Sequence, residues 1–112
     1  AEDAFREGLR GILEKELGIK VERWKSFDSK GFVYGYPSNV EVDIALRDEK
    51  LILVEVKSHA SASDVYEFIR KSQFYYETTK TKPQRLLIVT PYADERAIEA
   101  SIRLGVEIYT KV

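Results

Sequence analysis

Three consecutive stretches decide the fold: Val40-Glu41-Val42-Asp43-Ile44-Ala45-Leu46, then Arg47-Asp48-Glu49-Lys50, then Leu51-Ile52-Leu53-Val54-Glu55-Val56-Lys57. The first alternates, with Val40, Val42, Ile44 and Leu46 on one face and Glu41 and Asp43 on the other, as a half-buried strand does. Leu51 to Val56 is apolar on both faces, the mark of a central strand covered from both sides. Asp48-Glu49-Lys50 joins the two as a hairpin loop. Glu55 and Lys57 interrupt the central strand two residues apart, so both point to one face. An unpaired buried ion costs several kcal/mol, so such a strand carries charge for a reason.

Register names the partners. If all three residues Asp48 to Lys50 form the loop, Asp43 faces Glu55 and Glu41 faces Lys57, with opposed Cβ atoms roughly 4.5–5.5 Å apart. A two-residue loop would instead put Asp43 and Glu55 on opposite faces, because a one-residue slip flips every side chain. A shared pocket therefore requires an odd loop. No glycine stands there to take a left-handed position, so turn chemistry adds little support.

Outward from this hairpin, residues 2–17 read as an amphipathic helix with Phe5, Leu9, Ile12, Leu13 and Leu17 on one stripe and Gly18 closing it. Ile19 to Trp24 reads as a strand, and Ser26 to Asn39 as a loop rich in aromatics. After the hairpin, Ser61 to Asp64 forms a capping box for a helix whose stripe is Val65, Phe68, Ile69, Ser72 and Tyr76. Leu86 to Val89 is a buried strand, Ala93 to Leu104 a helix stopped by Gly105, and Val106 to Tyr109 a last strand. That closing strand–helix–strand is expected to be a right-handed parallel crossover. The order is α-β-β-β-α-β-α-β: an α/β fold with a mixed sheet and helices on both faces.

The chain has 112 residues, 44% hydrophobic and 33% charged, which suits one globular domain over 1–112 and excludes disorder. It has no cysteine and one histidine, which removes disulfide scaffolds, thiol nucleophiles and His-rich metal sites. No apolar run is long enough to span a membrane and no signal segment opens the chain, so a soluble, cytoplasmic domain is expected. Many Glu, Lys, Ile and Tyr with no Cys or Met lean toward a thermophile's composition. The missing initiator Met suits either its excision or a domain cut from a longer chain. Charge is balanced, 18 Lys plus Arg against 19 Asp plus Glu, so nucleic-acid binding must rest on a local patch.

In the expected register Glu41, Asp43 and Glu55 set three negative charges against Lys57 alone. Carboxylates side by side repel until one takes up a proton or a cation sits between them. Hard oxygen ligands with no His or Cys suit Mg²⁺ or Mn²⁺, which keeps waters that serve as nucleophile, and Lys57 would stabilise a pentavalent phosphate. In the plain alternative, Lys57 pairs with Glu41 in a charge ladder and Asp43 is solvated.

Asp43, eleven intervening residues, then Glu55-Val56-Lys57 resembles the core of the PD-(D/E)XK nuclease superfamily, which includes Holliday-junction resolvases and many restriction enzymes. The stretches Phe5 to Arg10, Glu41 to Asp43 and Leu53 to Ser58 resemble an uncharacterised, largely archaeal branch of it, whose members often place this domain after a helical region. The resemblance implies a restriction-endonuclease-like fold, metal ligation by Asp43, Glu55 and the Val56 carbonyl, and Lys57 as the catalytic lysine. It also implies an acidic residue on the opening helix. Glu7 is the choice, although Glu2 is the one that falls on the buried stripe. Gln73 and Tyr76 match a Gln and a Tyr that some branches bring toward the site.

Residues 70–85 carry Arg70, Lys71, Lys80, Lys82 and Arg85 against Glu77 alone, a local net of +4. With Tyr75 nearby this is the expected DNA face, since Lys and Arg meet phosphates and aromatics stack on bases. Ser58, His59 and Ser61 precede a helix N-terminus, a natural anion site. No phosphate loop, dinucleotide fingerprint or nucleophile elbow occurs. The expectation is a Mg²⁺- or Mn²⁺-dependent endonuclease on DNA, dimeric by analogy if it is to grip both strands. The alternative is an inactive nuclease-fold module for DNA binding or assembly. A third reading is a protein-interaction domain dimerising through the aromatics at 27–36.

Overall fold

The computed structural model describes residues 2–110. The elements are α1 (Glu2–Leu17), β1 (Lys20–Asp28), β2 (Ser38–Arg47), β3 (Lys50–Val56), α2 (Ala62–Thr79), β4 (Arg85–Val89), α3 (Glu95–Leu104) and β5 (Glu107–Tyr109). They form one five-stranded sheet in the order β1-β2-β3-β4-β5, antiparallel as far as β3 and parallel beyond it. The element order is the expected one. β1 is longer than expected, so the aromatic loop shrinks to residues 29–37.

Two apolar layers hold the helices. On one face Phe5, Leu9 and Leu13 of α1 cover Val21, Ala45, Ile52, Val54 and Val56. Ile12 instead turns outward, and the side chain of Leu17 lies outside the described residues. On the other face α2 and α3 cover Val42, Leu53 and Ile88 with Val65, Phe68, Tyr75, Ala97 and Ala100. The capping box is present: the Ser61 hydroxyl accepts from Asp64 N, and Asp64 accepts from Ser61 N. The buried stripe of α2 is Val65, Phe68, Lys71 and Tyr75; Tyr76, expected on it, is exposed.

The hairpin corrects the expected register. Its loop is two residues, Asp48 and Glu49, both left-handed at φ 51° and 64°, with Arg47 opposite Lys50 and Asp43 opposite Val54. Both left-handed positions are filled without glycine, and Asp is among the residues that tolerate them. Asp43 consequently shares a face with Val54 and Val56, under α1, while Glu55 faces α2.

Candidate functional site

The β2–β3 ladder runs from the turn to the Asp43–Val54 pair, and beyond it the strands part. A small polar notch opens there, lined among others by Arg6, Arg23, Glu41, Asp43, Glu55 and Val56. The main acidic candidates therefore reach one opening, but from two sides of the sheet.

On the α1 side, Asp43 is buried between two guanidinium groups. Arg6 Nε lies 3.0 Å from Oδ2 and Arg23 Nε lies 3.4 Å from Oδ1. The Arg6 contact is Coulombic rather than a formed hydrogen bond, since its buried Nε–H points off the carboxylate. Arg23 stands directly across from Asp43 in the β1–β2 ladder, and its Nη1 donates to Glu41 Oε2 at 2.8 Å. Lys25 approaches the other Glu41 oxygen at 3.8 Å.

On the α2 side, Lys71 Nζ donates to Glu55 Oε1 at 2.8 Å and to the Glu41 carbonyl at 3.1 Å, 5.9 Å from the centre of the Tyr34 ring. Burial pushes the Glu55 carboxyl up, further than Lys71 pulls it down. Burial is the strongest influence on Lys71 and would lower it, but the charge and hydrogen bond of Glu55, together with the nearby Tyr34, outweigh it and hold the ammonium above its ordinary value. With two acceptors within reach, Glu55 Oε1 and the Glu41 carbonyl, the Lys71 ammonium keeps its proton.

Lys57 does not stand opposite Glu41. Its Nζ lies 3.6 Å from Asp64 at the start of α2. Burial works to raise the Asp64 carboxyl, yet hydrogen bonds from Ser61 and the charge of Lys57 leave it below its ordinary value. Glu7 is exposed beside Arg10 at the margin of the small cavity between α1 and the sheet that Asp43, Arg6 and Arg23 also line, whereas Glu2 Oε1 accepts from Ser58 N at 3.2 Å. Helical phase explains this: Glu2 falls in line with Phe5, Arg6 and Leu9. Gln73 lies near the far end of α2, in a groove with Tyr76, Lys82 and Leu86 rather than at the notch.

The expected basic face is mostly spent on internal contacts. Arg70 Nε donates to the Val33 carbonyl at 2.8 Å, Lys71 is buried, and Arg85 forms a bidentate pair with Glu107. Lys80 caps α2 in a left-handed conformation beside Glu77, and Lys82 borders the Gln73 groove. Tyr75, expected to stack on bases, is core. His59 stacks on Tyr92, their centroids 4.9 Å apart.

As the side chains stand, Asp43 and Glu55 do not fit a shared Mg²⁺ or Mn²⁺. They leave the sheet on opposite faces and each carboxylate already holds a cation. Among the described residues no three His, Cys, Asp or Glu side chains converge. Sequence reasoning missed the three cations that do this. Lys71 could have been found, since it lies three residues beyond Phe68 on the α2 stripe. Arg6 sits beside Phe5 on the α1 stripe. Arg23 could not be placed, because its register with Asp43 depends on the length of an irregular loop.

A family model described as the PD-(D/E)XK nuclease superfamily matches residues 38–107, and one described as a protein of unknown function matches residues 1–37. Among solved structures, EndoMS in its apo form is similar with a TM-score of 0.66 and 15% identity, over 99% of this chain and 46% of that one. A repair endonuclease from Pyrococcus abyssi is similar at 0.65 and 19% identity, over 99% and 47%. EndoMS in complex with double-stranded DNA gives 0.60 and 19%, over 96% and 43%. The chain thus spans under half the length of these proteins. No curated protein matches it significantly.

Proposed function

This chain belongs to the PD-(D/E)XK nuclease superfamily, and from that premise we propose that it hydrolyses DNA phosphodiester bonds at the notch between β2 and β3. One observation carries the reading: Glu41, Asp43 and Glu55 with Arg6 and Arg23 line a single opening where the ladder ends, and Lys57 follows two residues after Glu55. Between Lys50 at the turn and Glu55, β3 is wholly apolar, so its Glu55 end is the part of this strand away from the turn that carries a polar group. Arg23 is partly exposed, and its guanidinium can exchange Glu41 for a DNA phosphate, to which charge-assisted contacts are at least as strong. The likeness to EndoMS bound to double-stranded DNA supports DNA as the substrate.

A second reading, a non-catalytic DNA-binding module, is favoured by the opposed faces of Asp43 and Glu55. Cleavage of duplex, branched and single-stranded DNA in Mg²⁺, Mn²⁺ or EDTA decides between them. The nuclease reading requires the Asp43 and Glu55 carboxylates to exchange Arg6, Arg23 and Lys71 for a metal when DNA binds. It expects metal-dependent cleavage that drops at least about a hundredfold in Asp43→Asn and in Lys57→Ala, the range typical when a group acting in the transition state is removed. Binding without cleavage under all conditions would leave the module reading standing.

A further inference from the structure

β1 is an edge strand, and its outward row leads away from the notch. Arg23, Lys25 and Phe27 occupy alternate positions on one face, opposite Asp43, Glu41 and Asn39. Successive members lie about 6.6 Å apart along the strand. The row faces the α1 side and ends at Phe27. There the sheet edge gives onto a cleft on the other side, between the loop after β1 and the second half of α2, walled by Phe32 and Phe74 with Phe27 at its lip and Lys30, Ser29 and Thr78 at its margins. Glu77 is also at its margin, and Lys80 lies 3.3 Å from that carboxylate.

Two features separate this cleft from an incidental apolar surface. Phe27 is 58% exposed and Phe32 49%, so two large rings that border the cleft face water. The loop that presents Phe32 is also rigid: Val33 N donates to the buried Asp28 carboxylate at 2.8 Å, and Arg70 clamps the Val33 carbonyl. A loop already tied down at its backbone has less to lose on binding, and aromatic walls beside lysines suit any base because every base presents a π-face.

We propose that a single-stranded segment of DNA leaves the notch along Arg23 and Lys25, rounds the sheet edge at Phe27 and seats an unpaired base against Phe32 and Phe74. The proposal rests on the nuclease reading and narrows its substrate to DNA with an unpaired stretch beside the duplex. The test is fluorescence anisotropy in EDTA, comparing a blunt duplex with the same duplex carrying a short single-stranded overhang. The overhang should bind about tenfold tighter, the equivalent of one stacked base. Phe32→Ala should erase that advantage, while Phe32→Trp should keep it and show emission quenched by the overhang. Thermal melts establish that both variants are folded.

Equal affinity for the two DNAs, or an advantage that survives Phe32→Ala, overturns the proposal and leaves the nuclease reading intact. Failure to bind either DNA overturns both. A shift from dimer to monomer in Phe32→Ala, with no change in DNA binding, would assign the cleft to a second copy of the chain and overturn it too.

Discussion

Lys71→Met is the most informative single change. It removes the ammonium from Glu55 Oε1 and from the Glu41 carbonyl while keeping an apolar stem of similar length in the α2 layer. Both partners are largely buried, with side chains 7% and 16% exposed, so the carboxylate left behind is poorly solvated. Breaking one half of such a pair costs about 3–5 kcal/mol. At roughly 4 °C per kcal/mol for a domain this size, the melting temperature should fall by more than about 10 °C at neutral pH. The loss should be pH-dependent. Burial holds the Glu55 pKa above its unfolded value, and removing Lys71 takes away the main charge that opposes this. The folded state then binds a proton the unfolded state does not, so stability rises as pH falls from neutral toward the unfolded carboxylate pKa. Adding Glu55→Gln should recover most of the loss and flatten the pH profile. Urea denaturation from pH 5 to 8 measures all three proteins. A single variant that costs under about 1 kcal/mol, or a double variant no better than the single, would refute the buried-pair account.

Gly31→Ala should destabilise the aromatic loop by more than about 1 kcal/mol, since φ is +67° and a Cβ would sit 2.8 Å from the Tyr36 backbone, a loss read from thermal melts. Asp64→Ala removes half of the capping box and the partner of Lys57, at about 1 kcal/mol. Because the Asp64 pKa is depressed, that contribution should be complete above the unfolded carboxylate pKa and fade as pH falls through the folded one, so the variant and the parent should converge in acid. Arg85→Ala breaks a bidentate pair with Glu107, but both side chains are about two-fifths exposed. It should therefore cost no more than about 1 kcal/mol, and a double-mutant cycle with Glu107→Ala should show that coupling shrinking in high salt.

The element order was legible because the apolar patterns of β2, β3 and α3 and the caps at Ser61 and Gly105 are local signals. The register of β3 was not. Ile52, Val54 and Val56 would suit either layer as well as Leu51 and Leu53 do, so hydrophobicity does not say which set faces α1. The decision falls to Asp48 and Glu49, whose left-handed conformations carry no glycine signature. That single residue of loop length turned an expected shared pocket into two ion-paired carboxylates on opposite faces, Asp43 with Arg6 and Arg23 and Glu55 with Lys71. The identities of Asp43, Glu55 and Lys57 as the notable charges were readable. Their partners Arg6, Arg23 and Lys71 come from three other elements, and only the assembled sheet brings them in.

The tight turn at Asp48–Glu49 also separates the places where this hairpin can change length from those where it cannot. A residue added between Arg47 and Lys50 only lengthens the loop and leaves Asp43 opposite Val54. A residue added within β3, between the turn and Glu55, would turn Glu55 to the α1 side and away from Lys71 unless a bulge absorbed it. Related chains should therefore vary in length at the hairpin tip and in the nine residues at 29–37, and keep the spacing from Lys50 to Glu55 fixed.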